Sequence, residues 1–213
     1  MQDSYLTLNQ QAESEIIIKK SRFITSAAPV GNEQDAVDFI KAVADNHKKA
    51  NHNVFAYRID DRIQKYSDDG EPGGSAGLPV LEVLNQKEIA KVVLVVSRYF
   101  GGIKLGAGGL VRAYKEAAVK GITAAGVLQK LLYRNVHLTM DYQWLGPVKR
   151  EVEKAGGRHI NIDYAEKVKV NFLLRPDAIH TLSERLIDLT AAQIQVNDGK
   201  SIYLGVDFLN HCF

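Results

Sequence analysis

Apolar and polar positions along the chain change period several times, and each change marks an element. From Ser14 to Ala28, the order Ile16-Ile17-Ile18, Lys19-Lys20-Ser21-Arg22, Phe23-Ile24 reads as one strand with a basic interruption. Between Asn32 and Lys49, the apolar residues Ala36, Val37, Phe39, Ile40 and Val43 have the spacing of a helix face. Gly31 or Asn32 is placed to cap that helix, and Asp35 and Asp38 lie early, where the dipole favours acids. Asn53 to Ile59 reads as a strand, and a polar loop is expected from Asp60 to Gly77. Leu78 to Leu84 follows as a helix with Pro79 in its first turn. Lys91 to Val96 is a lysine followed by five valines and leucines, apolar at successive positions from Val92, the mark of a strand covered on both faces. Gly108 to Ala125 is helical, and Ala113, Ala117, Ala118 and Ala124 suit close packing on a sheet.

After residue 134 the rhythm changes. Val136 to Met140 alternates as a strand, Trp144 to Ala155 is helical, and Gly156-Gly157 stops that helix. Ile160 to Tyr164 and Val168 to Leu174 read as strands, and Pro176 to Leu189 as a helix. Ile194 to Val196 and Ile202 to Phe208 are strand-like around an expected turn at Asn197-Asp198-Gly199. This βαββαβ order, with one further strand, is that of a split-βαβ or ferredoxin-like unit. The expected fold class is α+β in two domains, residues 1–135 and 136–213.

Length and composition fit that division. A chain of 213 residues can bury real cores without staples. Its 46% hydrophobic and 24% charged residues are ordinary for a soluble globular protein. The net charge of +2 neither demands nor excludes nucleic acid. Residues 1–134 carry 18 Lys+Arg against 15 Asp+Glu, net +3, whereas residues 135–213 carry 9 against 10, net −1, so the basic excess lies in the first part. Cys212 is the single cysteine, which excludes an internal disulfide and a cysteine-based metal site. The N-terminus lacks a signal-peptide pattern, and apolar runs such as Val92 to Val96 are far short of a membrane span. The expectation is a cytoplasmic protein with no membrane partner.

Chemistry enters with one segment. Gly101, Gly102, Gly106, Gly108 and Gly109 fall within nine positions, and Arg98, Lys104 and Arg112 stand among them. Such density needs turns of positive φ or close backbone approach, because glycine loses the most backbone entropy on folding. A strand, a glycine loop and a helix start also present N–H groups to an anion. The loop matches neither familiar nucleotide fingerprint. Gly-Lys-Ser/Thr does not occur, and Val111 stands where the dinucleotide pattern begun by Gly106 and Gly108 needs a third glycine. Two readings stay open: anion or nucleic-acid contact, and a tight turn for strand–helix packing.

Other constellations are thinner. The six histidines are scattered, and neither His-Glu-x-x-His nor Gly-x-Ser-x-Gly occurs, so no metal, cofactor or catalytic residue is expected. Asp68, Asp69 and Glu71 could hold magnesium through oxygen, but the favoured reading is an organising acidic loop paired with Arg98 or Arg22. His52 beside that loop could act as a base, though a lone histidine there is more often structural. Two patches mix cations with aromatics: Lys19, Lys20 and Arg22 with Phe23, and Arg98, Tyr99, Phe100, Lys104, Arg112, Tyr114 and Lys115. Cations would neutralise phosphates and exposed rings would stack on unpaired bases. The alternative is a solvated basic face over core aromatics. The candidate nucleic-acid or anion-binding set is Lys20, Arg22, Arg98, Lys104, Gly106, Gly108, Gly109 and Arg112.

Three stretches resemble the YigZ/Impact family: Lys-Ser-Arg-Phe at 20–23, Ser-Asp-Asp-Gly-Glu-Pro-Gly-Gly-Ser-Ala-Gly at 67–77, and Arg-Tyr-Phe-Gly-Gly-Ile-Lys-Leu-Gly-Ala-Gly-Gly-Leu-Val-Arg-Ala-Tyr at 98–114. The family usually has threonine where Ser75 stands, which keeps the hydroxyl. The resemblance implies an N-terminal ribosomal-protein-type α/β sandwich, as in domain IV of elongation factor G. It implies a ferredoxin-like C-terminal domain similar to domain V of that factor. The eukaryotic relatives are translational regulators that bind a protein partner, and no catalytic residues come with the family. The function expected is a cytoplasmic binding protein that touches RNA or the ribosome and regulates translation. The alternatives are an enzyme acting on a phosphorylated or nucleotide-like small molecule, with Asp68, Asp69, Glu71 and Arg98 around a pocket, and a pure protein-interaction module.

Overall fold

The computed structural model describes residues 3–207. In chain order its elements are β1 (Ser4–Leu8), β2 (Ala12–Ile18), β3 (Ser21–Pro29), α1 (Glu33–Asn46), β4 (His52–Arg58), β5 (Gln64–Ser67), α2 (Gly77–Gln86), β6 (Val92–Tyr99), α3 (Ala107–Ala125), β7 (Val127–Met140), α4 (Leu145–Lys154), β8 (Arg158–Tyr164), β9 (Val168–Leu174), α5 (Pro176–Leu189) and β10 (Ile194–Asp207). The fold is α+β, with two five-stranded sheets and two compact units built on Tyr5–Gln129 and Lys130–Gly205. Strand β7 runs across that division.

The first unit is organised by β6. Its sheet has the order β2-β3-β6-β4-β5, and every pairing is antiparallel. Val92, Leu94 and Val96 of β6 join one core with Val80 and Leu84 of α2 and with Leu110, Tyr114 and Ala118 of α3. Val93 and Val95 join a second core with Ala36 and Val43 of α1. A strand buried on both faces must be apolar at successive positions, which explains the run without a period. The small face of α3 also has a physical cause. Thr25 Oγ1 donates to the Ala117 carbonyl at 3.1 Å, and a Cβ at Gly121 would collide with the Thr25 side chain.

The expected single strand from Ser14 to Ala28 is instead a hairpin. Strands β2 and β3 pair antiparallel with Ile18 opposite Ser21, so Lys19 and Lys20 alone make the turn. Both have positive φ, +45° and +66°, the backbone that two-residue hairpins need to match the strand twist. No glycine or asparagine marks this turn, so the apolar pattern hid it. The polar segment from Asp60 to Gly77 also contains β5, which pairs with β4, and Asp60 Oδ1 tightens the connection by accepting from Arg62 N and Ile63 N at 2.8 Å. Strand β1 was not among the expected elements.

In the second unit, β10 pairs with β7, β7 with β9, and β9 with β8, the strand order of a ferredoxin-like sheet. Val136, Leu138 and Met140 alternate toward the same core as Val168, Val170, Phe172 and Leu174, and Val148, Val152, Leu182 and Leu186 of the helices close it. The expected turn at Asn197-Asp198-Gly199 is absent, because β10 continues through it. Asp198 pairs with Arg134, and Gly199 sits against His137, so the polar triplet is tied to β7 within the sheet. Phe208 and Cys212 lie outside the described residues. Among those described, no helix is long and apolar enough to cross a membrane.

Candidate nucleic-acid interface

Residues 100–106 link the end of β6 to the start of α3. Distant side chains fix the loop's first turn. Phe100 N donates to Asn51 Oδ1 at 2.8 Å, and Gly101 N donates to Ser21 Oγ at 3.2 Å. Any Cβ at Gly101 would overlap the backbone of Lys20 and Ser21, so glycine is required there for close approach. Gly106, at φ +71°, turns the chain into α3. That helix starts with no side-chain cap and no acid in its first turn, and a Cβ at Gly106 or Gly108 would meet nothing within 4 Å. Lys104 and Arg112 are exposed, as are Phe100 at 46% and Ile103 at 42%. The Gly101 contact therefore sets the Lys19-Lys20 turn beside the glycine loop. Two basic patches far apart in sequence meet.

Beneath the loop lies a buried polar network. Arg98 and Glu71 are 6% and 8% exposed, and Arg98 Nη1 donates to Glu71 Oε1 at 2.6 Å. Tyr114 OH donates to the same oxygen at 2.7 Å. Burial, reinforced by the Glu71 charge, pushes the Tyr114 hydroxyl well above the usual phenol range, so it remains a donor. The Arg98 guanidinium lies over the rings of Phe23, at 5.4 Å, and Phe100, at 5.6 Å. A buried charge of this kind is tolerable because its opposite charge is buried with it.

The acidic loop is held by its own backbone. Asp68 Oδ1 accepts from Ala76 N at 3.0 Å and Gly77 N at 2.8 Å, and Oδ2 accepts from Gly74 N at 2.8 Å. Asp68 thereby satisfies donors at the start of α2 that no local residue caps. Asp69 Oδ2 accepts from Asn53 N at 2.5 Å. His52 Nδ1 lies 2.7 Å from the Asp69 carbonyl oxygen, and His52 Nε2 lies 4.0 Å from Glu71 Oε2. The described residues include no group of three or more His, Cys, Asp or Glu arranged to hold a metal.

Comparison with known proteins places this geometry in a family. The Impact N-terminal domain matches residues 19–122, and a domain of unknown function (DUF1949) matches residues 138–193. IMPACT family member YvyE of Bacillus subtilis (strain 168) is 41% identical over 206 residues, which cover 96% of this chain and 95% of that protein. The chain belongs to the IMPACT family. IMPACT family member YigZ of Escherichia coli (strain K12) is 33% identical over 84% of this chain and 90% of its own. A crystal structure of a hypothetical protein superposes with a TM-score of 0.61 at 30% identity, covering 92% of this chain and 97% of that one.

In this IMPACT family member, the candidate residues divide into a surface and an interior. Lys20, Lys104, Gly106, Gly108 and Arg112 are exposed, and Gly109 is partly covered by Leu105. Arg22 is exposed but engaged, its guanidinium donating to Glu15 at 2.7 and 3.1 Å and lying over Tyr99. Arg98 leaves the surface altogether, because its guanidinium is buried against Glu71. Tyr114 is likewise interior, whereas Phe100 is not. The anchors Ser21 and Asn51 escaped sequence reasoning. Their partners lie 80 and 49 residues away, and nothing local signals such pairings.

Proposed function

We propose that this IMPACT family protein binds RNA or the ribosome in the cytoplasm through the glycine loop and the adjoining basic turn, and that this binding regulates translation. The observation that carries the reading is the junction at Gly101, which seats the exposed Lys19-Lys20 turn against the loop bearing exposed Lys104, with exposed Arg112 on the helix that follows. None of the four makes an ion pair among the described residues, unlike Arg22 with Glu15 or Lys115 with Glu82. Unpaired cations around a loop with glycines at positions 101, 102 and 106 suit a phosphate backbone, whose neutralisation releases counterions. The turn supports the reading as well. A lysine with positive φ costs about 1 kcal/mol relative to glycine, and strain of this kind concentrates at functional sites.

The enzyme alternative needs carboxylates available to a substrate or metal. Here both oxygens of Asp68 accept backbone donors, and Glu71 Oε1 accepts from Arg98 and Tyr114. That commitment favours binding over catalysis. The test is a triple variant, Lys20→Ala, Lys104→Ala and Arg112→Ala, assayed for RNA binding across a salt series. Each cation withdrawn from a phosphate lowers the log–log slope by about 0.7 on a single strand and about 0.9 on a duplex. A folded triple variant with the wild-type slope would remove this surface from the interaction.

A further inference from the structure

Resting on the binding reading above, we infer that Phe100 is a fixed stacking platform for an unpaired nucleobase, so that the nucleic acid taken up beside the glycine loop is single-stranded. A lone exposed apolar side chain is ordinary. Phe100 differs in how it is held. The Arg98 guanidinium covers one ring face at 5.6 Å, and Arg98 is itself locked by Glu71 at 2.6 Å. The Phe100 backbone is tied to Asn51, and the next residue to Ser21. Phe100 is still 46% exposed. A ring so restrained loses little rotamer freedom when something stacks on it, which preserves binding energy.

The surroundings specify what stacks. Phenylalanine offers neither donor nor acceptor, so the ring reads a π-face and not a base edge. Duplexes hide base faces, and only unpaired nucleotides present them. Exposed Lys19 and Lys20 on the adjoining turn, Lys104 in the loop and Arg112 on the following helix supply phosphate partners, and Ile103 adds a second exposed apolar contact, 42% exposed. An apolar ring and flanking cations on a glycine-containing loop are together the makings of a sequence-tolerant single-strand site.

The experiment compares wild type, Phe100→Leu and the triple cation variant. The probes are an oligoadenylate of about 12 nucleotides, a duplex RNA of equal length and an abasic oligomer with the same phosphates. Phe100→Leu should bind oligoadenylate at least about fivefold more weakly with an unchanged salt slope, since every cation remains on its phosphate. Its affinities for the duplex and the abasic oligomer should stay within about twofold of wild type. The wild type alone should prefer oligoadenylate to the abasic oligomer, which tests stacking without any substitution. Equal binding of oligoadenylate by wild type and Phe100→Leu, or no preference for bases over abasic sites, overturns the stacking. The cation surface then still stands if the triple variant lowers the slope. Failure of the wild type to bind any of the three probes overturns both. Retention of nuclease-treated ribosomal protein by wild type, abolished in Phe100→Leu, would assign the ring to a protein partner and likewise overturn the proposal.

Discussion

Tyr114 illustrates how one side chain ties stability to the site. It is fully buried, packs edge-on against Phe23 with ring centroids 5.2 Å apart, and donates to Glu71. Its hydroxyl titrates above the usual phenol range in the folded chain, and near pH 10 in the unfolded one. A raised folded value contributes stability that is fully present below about pH 10 and declines above it, by about 1.4 kcal/mol per pH unit, because only the unfolded chain then loses the proton. Tyr57, pushed up to about 12 by burial and then by Glu33, acts in the same direction. Urea unfolding of Tyr114→Phe should show about 1–3 kcal/mol less stability at pH 7, since Glu71 loses a buried donor. Between pH 10 and 12 its stability should fall less steeply than that of wild type, by one titrating group. Identical alkaline slopes would mean that Tyr114 ionises as readily in the fold as outside it.

The β2–β3 hairpin sets stability against function within one element. Two lysines occupy backbone that asparagine and glycine adopt more cheaply, and the register with Ile18 opposite Ser21 leaves no slack to relax it. Replacing Lys19 with Asn and Lys20 with Gly should therefore stabilise the protein by about 1 kcal/mol in denaturant titration. The same double variant should bind RNA more weakly, with a shallower salt slope, because two phosphate partners are gone. A variant that is no more stable, with unchanged binding, would show that neither strain nor charge matters at this turn. The double glycine after α4 was legible from the sequence because it stops a helix, and Gly156 has a positive φ of +83°. The lysine turn was not, since its conformation is imposed by strand pairing against the local preference.

In the whole molecule, each core among the described residues draws its side chains from one unit. Phe23, Leu94, Tyr114 and their neighbours belong to Tyr5–Gln129, while Val136, Phe172 and Leu186 belong to Lys130–Gly205. Each unit should therefore fold without the other. The place of the cut matters, because β7 pairs with β9 from Arg134 to Met140, and a cut at residue 136 removes the first two positions of that ladder. Fragment 130–213 should show higher thermal stability by circular dichroism than fragment 136–213, which lacks the start of that strand. Both are near the size where a lone domain is marginal, so the difference should be easy to read. RNA retention should follow fragment 1–129. An unfolded fragment 1–129, or affinity concentrated in the second fragment, would reject this separation of roles.

Period and punctuation alone predicted α5 from Pro176 to Leu189, β9 from Val168 to Leu174 and the two-sided burial of β6, because each is written in local spacing or composition. The density of glycines marked the loop before α3 for the same reason: glycine has few local uses. What tertiary structure added was non-local. Arg98 and Lys104 are cations six residues apart, yet one is buried on Glu71 and the other exposed, and the sequence around them does not separate these fates. The union of the Lys19-Lys20 turn with the glycine loop depends on Gly101 pressing against a backbone 80 residues earlier in the chain. The continuity of β10 through Asp198-Gly199 likewise depends on β7 beside it, where pairing outweighs a local preference to turn. Local spacing sets which segments are strand or helix, and long-range pairing and burial set which side chains remain outside to bind.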